Sequence, residues 1–357
     1  MMKFDSVLVT AVVPAHNCEK TICACVDSLL GQSYGNIEIV VVENGSTDRT
    51  ASTIQEQYGR QQEVVVLPLE EANVARARKA GVERARGDLI AFCDSDDWYQ
   101  KDAIQILATK LQQQNADIVN CGYAKAISPG IPLRFPRSFV EADTVLKKSE
   151  WSYSDYVKPY NPLRYPFFSG LCGSLYKRSV LQAVPEDVLD NGLRRGEDIL
   201  VNSYAQLMAS KVLTIPDMLY RYRVGGVTSK NERLLEDLFK LKEELDRYYA
   251  PHIPCSQTDL DAESASYILN IIFRRYQSAY AVSKRDVVLF YEQALHDVRV
   301  RGLAKMLLDS DPEEDDVLIA KLFLQDDPEW LACNAKKRYA AKRYTLKALA
   351  GISRLFR

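Results

Sequence analysis

Up to Tyr123 the chain alternates short β-branched runs with segments of helical period, and this alternation restricts the fold more than any other feature. Residues 7–13 (Val-Leu-Val-Thr-Ala-Val-Val) form an apolar run ended by Pro14, after which Ile22, Val26, Leu29 and Leu30 recur at helical spacing. Further strand-like runs follow at Ile37–Val42, Val64–Leu67, Leu89–Cys93 and Ile118–Tyr123. Between them Asp48–Tyr58, Asn73–Arg86 and 102–114 read as helices, the first with Ser46 or Asp48 as its cap. Strands alternating with helices at this spacing predict an α/β fold, a mostly parallel sheet covered on both faces by helices. In such sheets ligands bind beyond the carboxyl ends of the strands. Asn44–Asp48 and Asp94–Asp97 both follow strand ends, so both polar clusters are expected on one rim.

The rhythm breaks over 124–168, a stretch rich in proline and aromatic residues that reads as an excursion on the acceptor side of the sheet. Helical pattern resumes at Glu197–Met208. Residues 231–357 show amphipathic helical segments, such as Leu234–Tyr249 and Ala265–Ala279, and no strand-rich unit. The expected divisions of the chain are 1–125, 126–230 and 231–357, the last a helical C-terminal region.

Composition removes several classes of partner. With 47% hydrophobic and 26% charged residues the chain is ordinary for a soluble protein with a core, and a net charge of −2 does not suggest nucleic acid. The eight cysteines have no CxxC spacing and no zinc-like cluster, so reduced, buried thiols are expected. No secretory signal is expected, and no apolar stretch approaches the ~18 residues of a membrane span. The exception to the even charge is 334–357. There Lys336, Lys337, Arg338, Lys342, Arg343, Lys347, Arg354 and Arg357 interleave with Tyr339, Tyr344, Leu346, Leu349, Ile352, Leu355 and Phe356, and no acid intervenes. As a helix this segment would suit an anionic membrane surface.

Asp94-Ser95-Asp96-Asp97 sets three carboxylates in four positions at the end of an apolar strand. Such clustering is costly unless a cation holds it, and a divalent metal held against the phosphates of a substrate is the economical candidate. The plainer alternative is an acidic turn capping the helix that begins near Lys101. Asp309–Asp316 repeats the same residue types with no strand before it and reads as a solvated loop. Glu197-Asp198 follows Gly196 at a helix start, as a cap or, for Asp198, as the general base of a reaction with a hydroxyl nucleophile. Arg76 and Arg78 lie on the helix leading into the carboxylate strand. Tyr220-Arg221-Tyr222-Arg223, followed by Gly225-Gly226, reads as a flexible cationic stretch able to fold over a pyrophosphate.

Val12-Val13-Pro14-Ala15-His16-Asn17, Glu43-Asn44-Gly45-Ser46-Thr47-Asp48, Ala77-Arg78-Lys79-Ala80-Gly81, Asp94–Asp97 and Gly196-Glu197-Asp198 occur in the order and spacing of glycosyltransferase family 2. The resemblance covers roughly residues 5–230, and five motifs in register are far more specific than any one alone. It implies a GT-A fold, nucleoside-diphosphate-sugar donors and inversion in a single displacement. By position, Pro14, His16, Asn17 and Glu19 would line the nucleotide pocket, with Asn44 and Ser95 also among the donor contacts. Arg78 would approach the nucleotide phosphates, Asp94 the ribose and Asp96 the metal, Mn2+ or Mg2+. Asp198 matches the family's catalytic base, and Arg223 resembles a cation on the segment that follows. The sequence departs from the family at Glu43-Asn44, where an Asp pair often receives the uracil N3–H. Asn can accept or donate, which weakens a UDP preference without removing it. It departs again at Lys79, where the family has Asn after Arg.

The resemblance thus implies a metal-dependent inverting hexosyl- or N-acetylhexosaminyltransferase. It would move a sugar, with UDP-sugar the expected donor, to a hydroxyl of a glycan or lipid-linked glycan in bacterial surface polysaccharide synthesis. Residues 1–125 would be the donor half, 126–230 the acceptor half, and the location cytoplasmic, peripheral at the inner face of the membrane. Two rivals stand beside this reading: a sugar nucleotidylyltransferase, although Pro14-Ala15-His16-Asn17 is not the glycine-rich loop of those enzymes, and a non-catalytic glycan-binding relative, which needs no base.

Overall fold

A computed structural model describes residues 7–129, 131–138, 140–148, 170–193, 196–224, 234–249, 257–273, 284–310 and 314–337. Two compact units meet in sequence at Arg223 and Val224.

The first unit is built on a ten-stranded sheet. Its strands are β1 (Val9–Ala15), β2 (Ile37–Asn44), β3 (Val64–Leu69), β4 (Leu89–Phe92), β5 (Trp98–Tyr99), β6 (Ile118–Ser128), β7 (Ile131–Arg137), β8 (Thr144–Lys147), β9 (Ser174–Lys177) and β10 (Lys211–Arg223). The order is β3-β2-β1-β4-β9-β6-β10-β5, with β7 beside β6 and β8 beside β10. From β3 to β4 every pairing is parallel, with Val12 opposite both Val40 and Phe92. The helices α1 (Ile22–Leu30), α2 (Thr50–Tyr58), α3 (Val74–Arg84) and α4 (Ala103–Gln114) provide the crossovers. β1 is buried along its whole length, as its unbroken apolar run requires of a strand covered on both faces.

Two features depart from a simple continuation of the alternation. β9 inserts antiparallel between β4 and β6, and β10 runs parallel to β6 as a strand of 13 residues. The flexible stretch expected at Tyr220–Arg223 is therefore the end of β10. Pro216 concealed the strand, because proline cannot donate to a sheet ladder. The structure accommodates it with register shifts between Thr214 and Met218 and again before Tyr220. The flanking Gly225-Gly226 lies outside the described residues.

α3 carries Arg78 and is held close to the sheet. Its N-cap Asn73 accepts from the Arg76 N–H, and the Asn73 N–H donates to Asn44 at the end of β2. Gly81 lets the helix approach β1: a Cβ there would sit 2.3 Å from a Val12 methyl. Beyond β9 come α5 (Arg178–Gln182), α6 (Glu186–Leu189) and α7 (Glu197–Met208). α7 starts at Gly196, whose φ of 85° suits only glycine without strain.

The second unit is helical among its described residues: α8 (Leu234–Tyr249), α9 (Gln257–Phe273), α10 (Lys284–His296), α11 (Val298–Leu308) and α12 (Glu314–Leu324), followed by helical residues 328–337. Leu234, Leu238, Leu241 and Leu245 give α8 its buried stripe, while Ile268, Leu269 and Ile272 do so for α9. Lys242 on α8 ties Asp246 to Asp261 of α9, and the Arg299 guanidinium stacks 4.2 Å from the Phe239 ring centroid. Among the described residues no helix is long and apolar enough to cross a membrane. Lys336 and Lys337 are exposed; the rest of the basic segment, from Arg338 on, lies outside the described residues.

Candidate active site

β1, β2, β4, β6 and β10 all point their carboxyl ends to one rim, which gathers most of the sequence-derived site residues. They form two groups there.

The first group joins the loops after β1 and β2. Pro14 is buried within β1 opposite Val42, so it supports the loop from below. His16 is exposed; its Nδ1 meets the Asn44 carbonyl at 2.8 Å, which only a ring N–H can satisfy, leaving Nε2 to accept from the Asn17 amide at 3.1 Å. Asn17 has a left-handed φ of 47°, and its Oδ1 accepts the Thr47 N–H at 2.8 Å. Glu19 accepts the Arg49 N–H. Asp48 takes the Thr50 N–H at the start of α2, but the N-cap is Arg49 and not Ser46 or Asp48 as expected. Asn44 is buried, and its side-chain oxygen receives the Asn73 N–H at 2.9 Å. That hydrogen bond ties β2 to α3.

The second group surrounds Asp94–Asp97. Asp97 is 2% exposed and accepts from the Tyr220 hydroxyl at 2.8 Å and from the Arg223 N–H at 2.7 Å. Burial, then the charges of Asp96 and Asp94, push its carboxyl well above the usual range. Tyr220 also receives the Asp94 N–H, so one hydroxyl links both ends of the tetrapeptide. Arg223 is buried. Its Nε donates to the Asp96 carbonyl, its Nη1 to the Ile127 carbonyl at 2.9 Å, and its guanidinium lies 4.9 Å from the Trp98 ring centroid. Asp94, Ser95 and Asp96 stay partly exposed. The acidic-turn alternative does not hold, since α4 takes no side-chain cap from its N-cap Asp102 and Asp97 is turned inward.

Arg78 is buried between two acids, with Nη2 3.0 Å from Asp94 and Nη1 2.8 Å from Glu197. Its Nε is buried with no hydrogen-bond partner. Burial opposes its charge, but Asp94 and Glu197 outweigh that and keep the guanidinium protonated. Arg76, by contrast, is exposed and pairs with Asp190 at 3.0 Å. Asp198 stands half-buried in the first turn of α7, its Oδ1 accepting its neighbour's Ile199 N–H. Its carboxyl is pushed up to about 7 by burial and by Glu197, against the lowering effect of Arg78.

The two groups approach each other through Cys18. Its backbone N–H donates to Thr50, and its thiol lies near Ser95 as well as the Thr50 hydroxyl. Burial pushes that thiol up to about 11. The cysteines described are unpaired, and all but Cys23 and Cys333 are buried. Three residues central to this geometry, Asp97, Glu197 and Tyr220, were given no separate role by sequence. Glu197 and Asp97 adjoin singled-out acids and Tyr220 opens the stretch read as flexible and cationic, but the partners of Tyr220 lie more than a hundred residues away.

A mixed, mostly parallel sheet with flanking helices and a carboxylate loop after its fourth strand defines a GT-A fold. The structure of residues 1–349 of S. aureus TarS in complex with UDP matches it with a TM-score of 0.57 at 20% identity, over 98% of this chain and 92% of that one. The profile of glycosyl transferase family 2 matches residues 10–184, which form a domain of that family. Among relatives, the glycosyltransferase EpsJ of Bacillus subtilis is 31% identical over 216 residues, which is 60% of this chain and 61% of EpsJ. TuaG of the same organism, named for teichuronic acid biosynthesis, is 32% identical over 127 residues, 35% of this chain and 50% of TuaG. The chain thus spans less than two thirds of the length of each of these relatives.

Proposed function

We propose that the protein transfers a sugar from a nucleoside-diphosphate sugar to a hydroxyl of a glycan or lipid-linked glycan, with inversion, in bacterial surface polysaccharide synthesis. One observation carries this reading: a buried arginine joins the loop after β4 to the helix start that bears Asp198, so a donor-side carboxylate and a candidate base belong to one connected site. Asp198, half-buried with a carboxyl near neutrality, is suited to take the proton of an acceptor hydroxyl as that oxygen attacks the anomeric carbon. The nucleoside diphosphate leaves. The UDP bound to TarS and the teichuronic acid pathway of TuaG support a UDP-sugar and a polysaccharide product. Residues 1–125 would bind the donor and 126–230 the acceptor, as either a hexosyl or an N-acetylhexosaminyl transfer.

The donor set fits Mn2+ or Mg2+. Asp96 and Asp94 offer partly exposed hard oxygens, while Asp97 is committed to Tyr220 and Arg223. An ion held there would take its remaining ligands from diphosphate and water. Asp96 would hold such an ion, whose positive charge would offset that of the departing diphosphate. Asp94 would also meet the ribose. His16, Asn17, Glu19 and Ser95 supply the polar edge for the rest of the nucleotide. The basic segment 334–357 would hold the protein on an anionic membrane surface at the cytoplasmic face, so its deletion should release the protein from anionic vesicles.

Calorimetry with UDP, GDP, CDP and dTDP, with and without Mn2+, tests the reading. One diphosphate should bind in a metal-dependent manner, and Asp96→Ala should abolish that dependence. Failure of all four to bind would leave a non-catalytic member of the family.

A further inference from the structure

We propose that Glu197 is a positioning residue: through its buried ion pair with Arg78 it holds the start of α7, and so Asp198, against the loop that carries Asp94. Arg78 then serves as a strut between the two sides of the site and not as a ligand of the donor phosphates. The proposal rests on the transferase reading and reassigns the cation that family resemblance directs to the phosphates.

Three charged pairs connect α3 to the segment around α6 and α7: Arg76 with Asp190 at 3.0 Å, Lys79 with Glu186 at 3.3 Å, and Arg78 with Glu197 at 2.8 Å. Burial separates them. Arg76 is 54% exposed and Glu186 84%, so water and salt screen these two pairs, and neither can set the position of a helix. The Arg78 and Glu197 side chains are 9% and 12% exposed. A pair taken out of water cannot be opened cheaply, because either partner left alone is an uncompensated buried charge.

Geometry directs the strut at the base. Glu197 is the first residue of α7, and Asp198 follows in the same turn after Gly196. Once the Glu197 carboxylate is fixed, little freedom remains for its neighbour's backbone. At the other end Arg78 grips Asp94, and α3 is seated by the contact of Gly81 with Val12. Nη1 and Nη2 each reach a carboxylate and the side chain is buried, so a phosphate would have to compete with two acids for the tips of the fork. A planar fork held at its two terminal nitrogens by two acids is a geometric connector that lysine cannot reproduce.

The test compares Glu197→Ala, Glu197→Gln and Arg78→Gln with Asp198→Asn. Two quantities are read for each: affinity for UDP, GDP, CDP and dTDP with Mn2+, and hydrolysis of the matching nucleotide sugar with water as acceptor. Glu197→Ala should slow hydrolysis about 100-fold, the cost of misplacing a catalytic group by roughly 1 Å. Nucleotide affinity should stay within about threefold, the same split as Asp198→Asn. Glu197→Gln retains an oxygen for Nη1 and should recover hydrolysis to within about tenfold of wild type. Arg78→Gln should follow Glu197→Ala. A fall of more than about tenfold in affinity for Arg78→Gln, with hydrolysis unchanged in Glu197→Ala, would overturn the strut and make Arg78 a phosphate ligand. If Glu197→Ala fails to fold, Glu197→Gln and Arg78→Gln still give the two readings. Wild-type protein that binds none of the four diphosphates would remove the transferase reading itself.

Discussion

Two acidic pairs lie at the rim of the sheet, Asp96-Asp97 after β4 and Glu197-Asp198 at the start of α7, and both divide their labour in the same way. In each pair one carboxylate is buried against fixed donors and its neighbour stays closer to solvent. The anchors differ. Asp97 is held by a hydroxyl and a backbone N–H, both neutral, while burial and then the charges of Asp96 and Asp94 push its carboxyl upward. Glu197 is held by a guanidinium that also serves Asp94. Asp97 is therefore fastened by neutral donors, and Glu197 by a charged donor that it shares with Asp94.

The comparison can be tested from its strongest consequence to its weakest. Asp198→Asn should lower turnover by about 10²–10⁴-fold, the usual contribution of a general base, while calorimetry finds donor binding intact. Lost binding would make Asp198 a structural cap. Arg78→Leu should cost about 3–5 kcal/mol in urea unfolding, because two carboxylates lose a buried partner. Asp97→Asn keeps an acceptor and gains a donor, so its unfolding free energy should fall by no more than about 1 kcal/mol. An equal loss in both variants would show that the two anchors do not differ in kind.

Asp198 also sets a pH signature. With its carboxyl raised to about 7, the base is protonated below that value, so activity should climb as pH rises through about 7. The sign for stability is the opposite. Between the ordinary carboxylate range and about 7 the folded protein holds a proton that the unfolded chain has released, so stability from this group falls as pH rises. A pH–rate profile and urea midpoints across that window read the two together. Smallest of all should be Arg76→Ala, within about 0.5 kcal/mol, since its pair with Asp190 is exposed.

Much of the fold was legible in the chain because local pattern decides it. The apolar runs at Ile37 and Val64 became β2 and β3, Asn73 capped α3, and Leu234–Tyr249 became α8 from end to end. β9 and the end of β10 were not legible as strands. β9 has four residues, and β10 contains a proline whose disruption is absorbed by a shift in register.

The sequence by itself determined that acids would stand at the ends of buried strands, since strand, turn and carboxylate are neighbours along the chain. It also carried the family motifs that identify the class. Only the tertiary structure decided which acids are anchors. Arg78 meets Glu197 across 119 residues and Asp97 meets Tyr220 across 123, and burial, which gives each contact its energy, exists only once the sheet has brought them together.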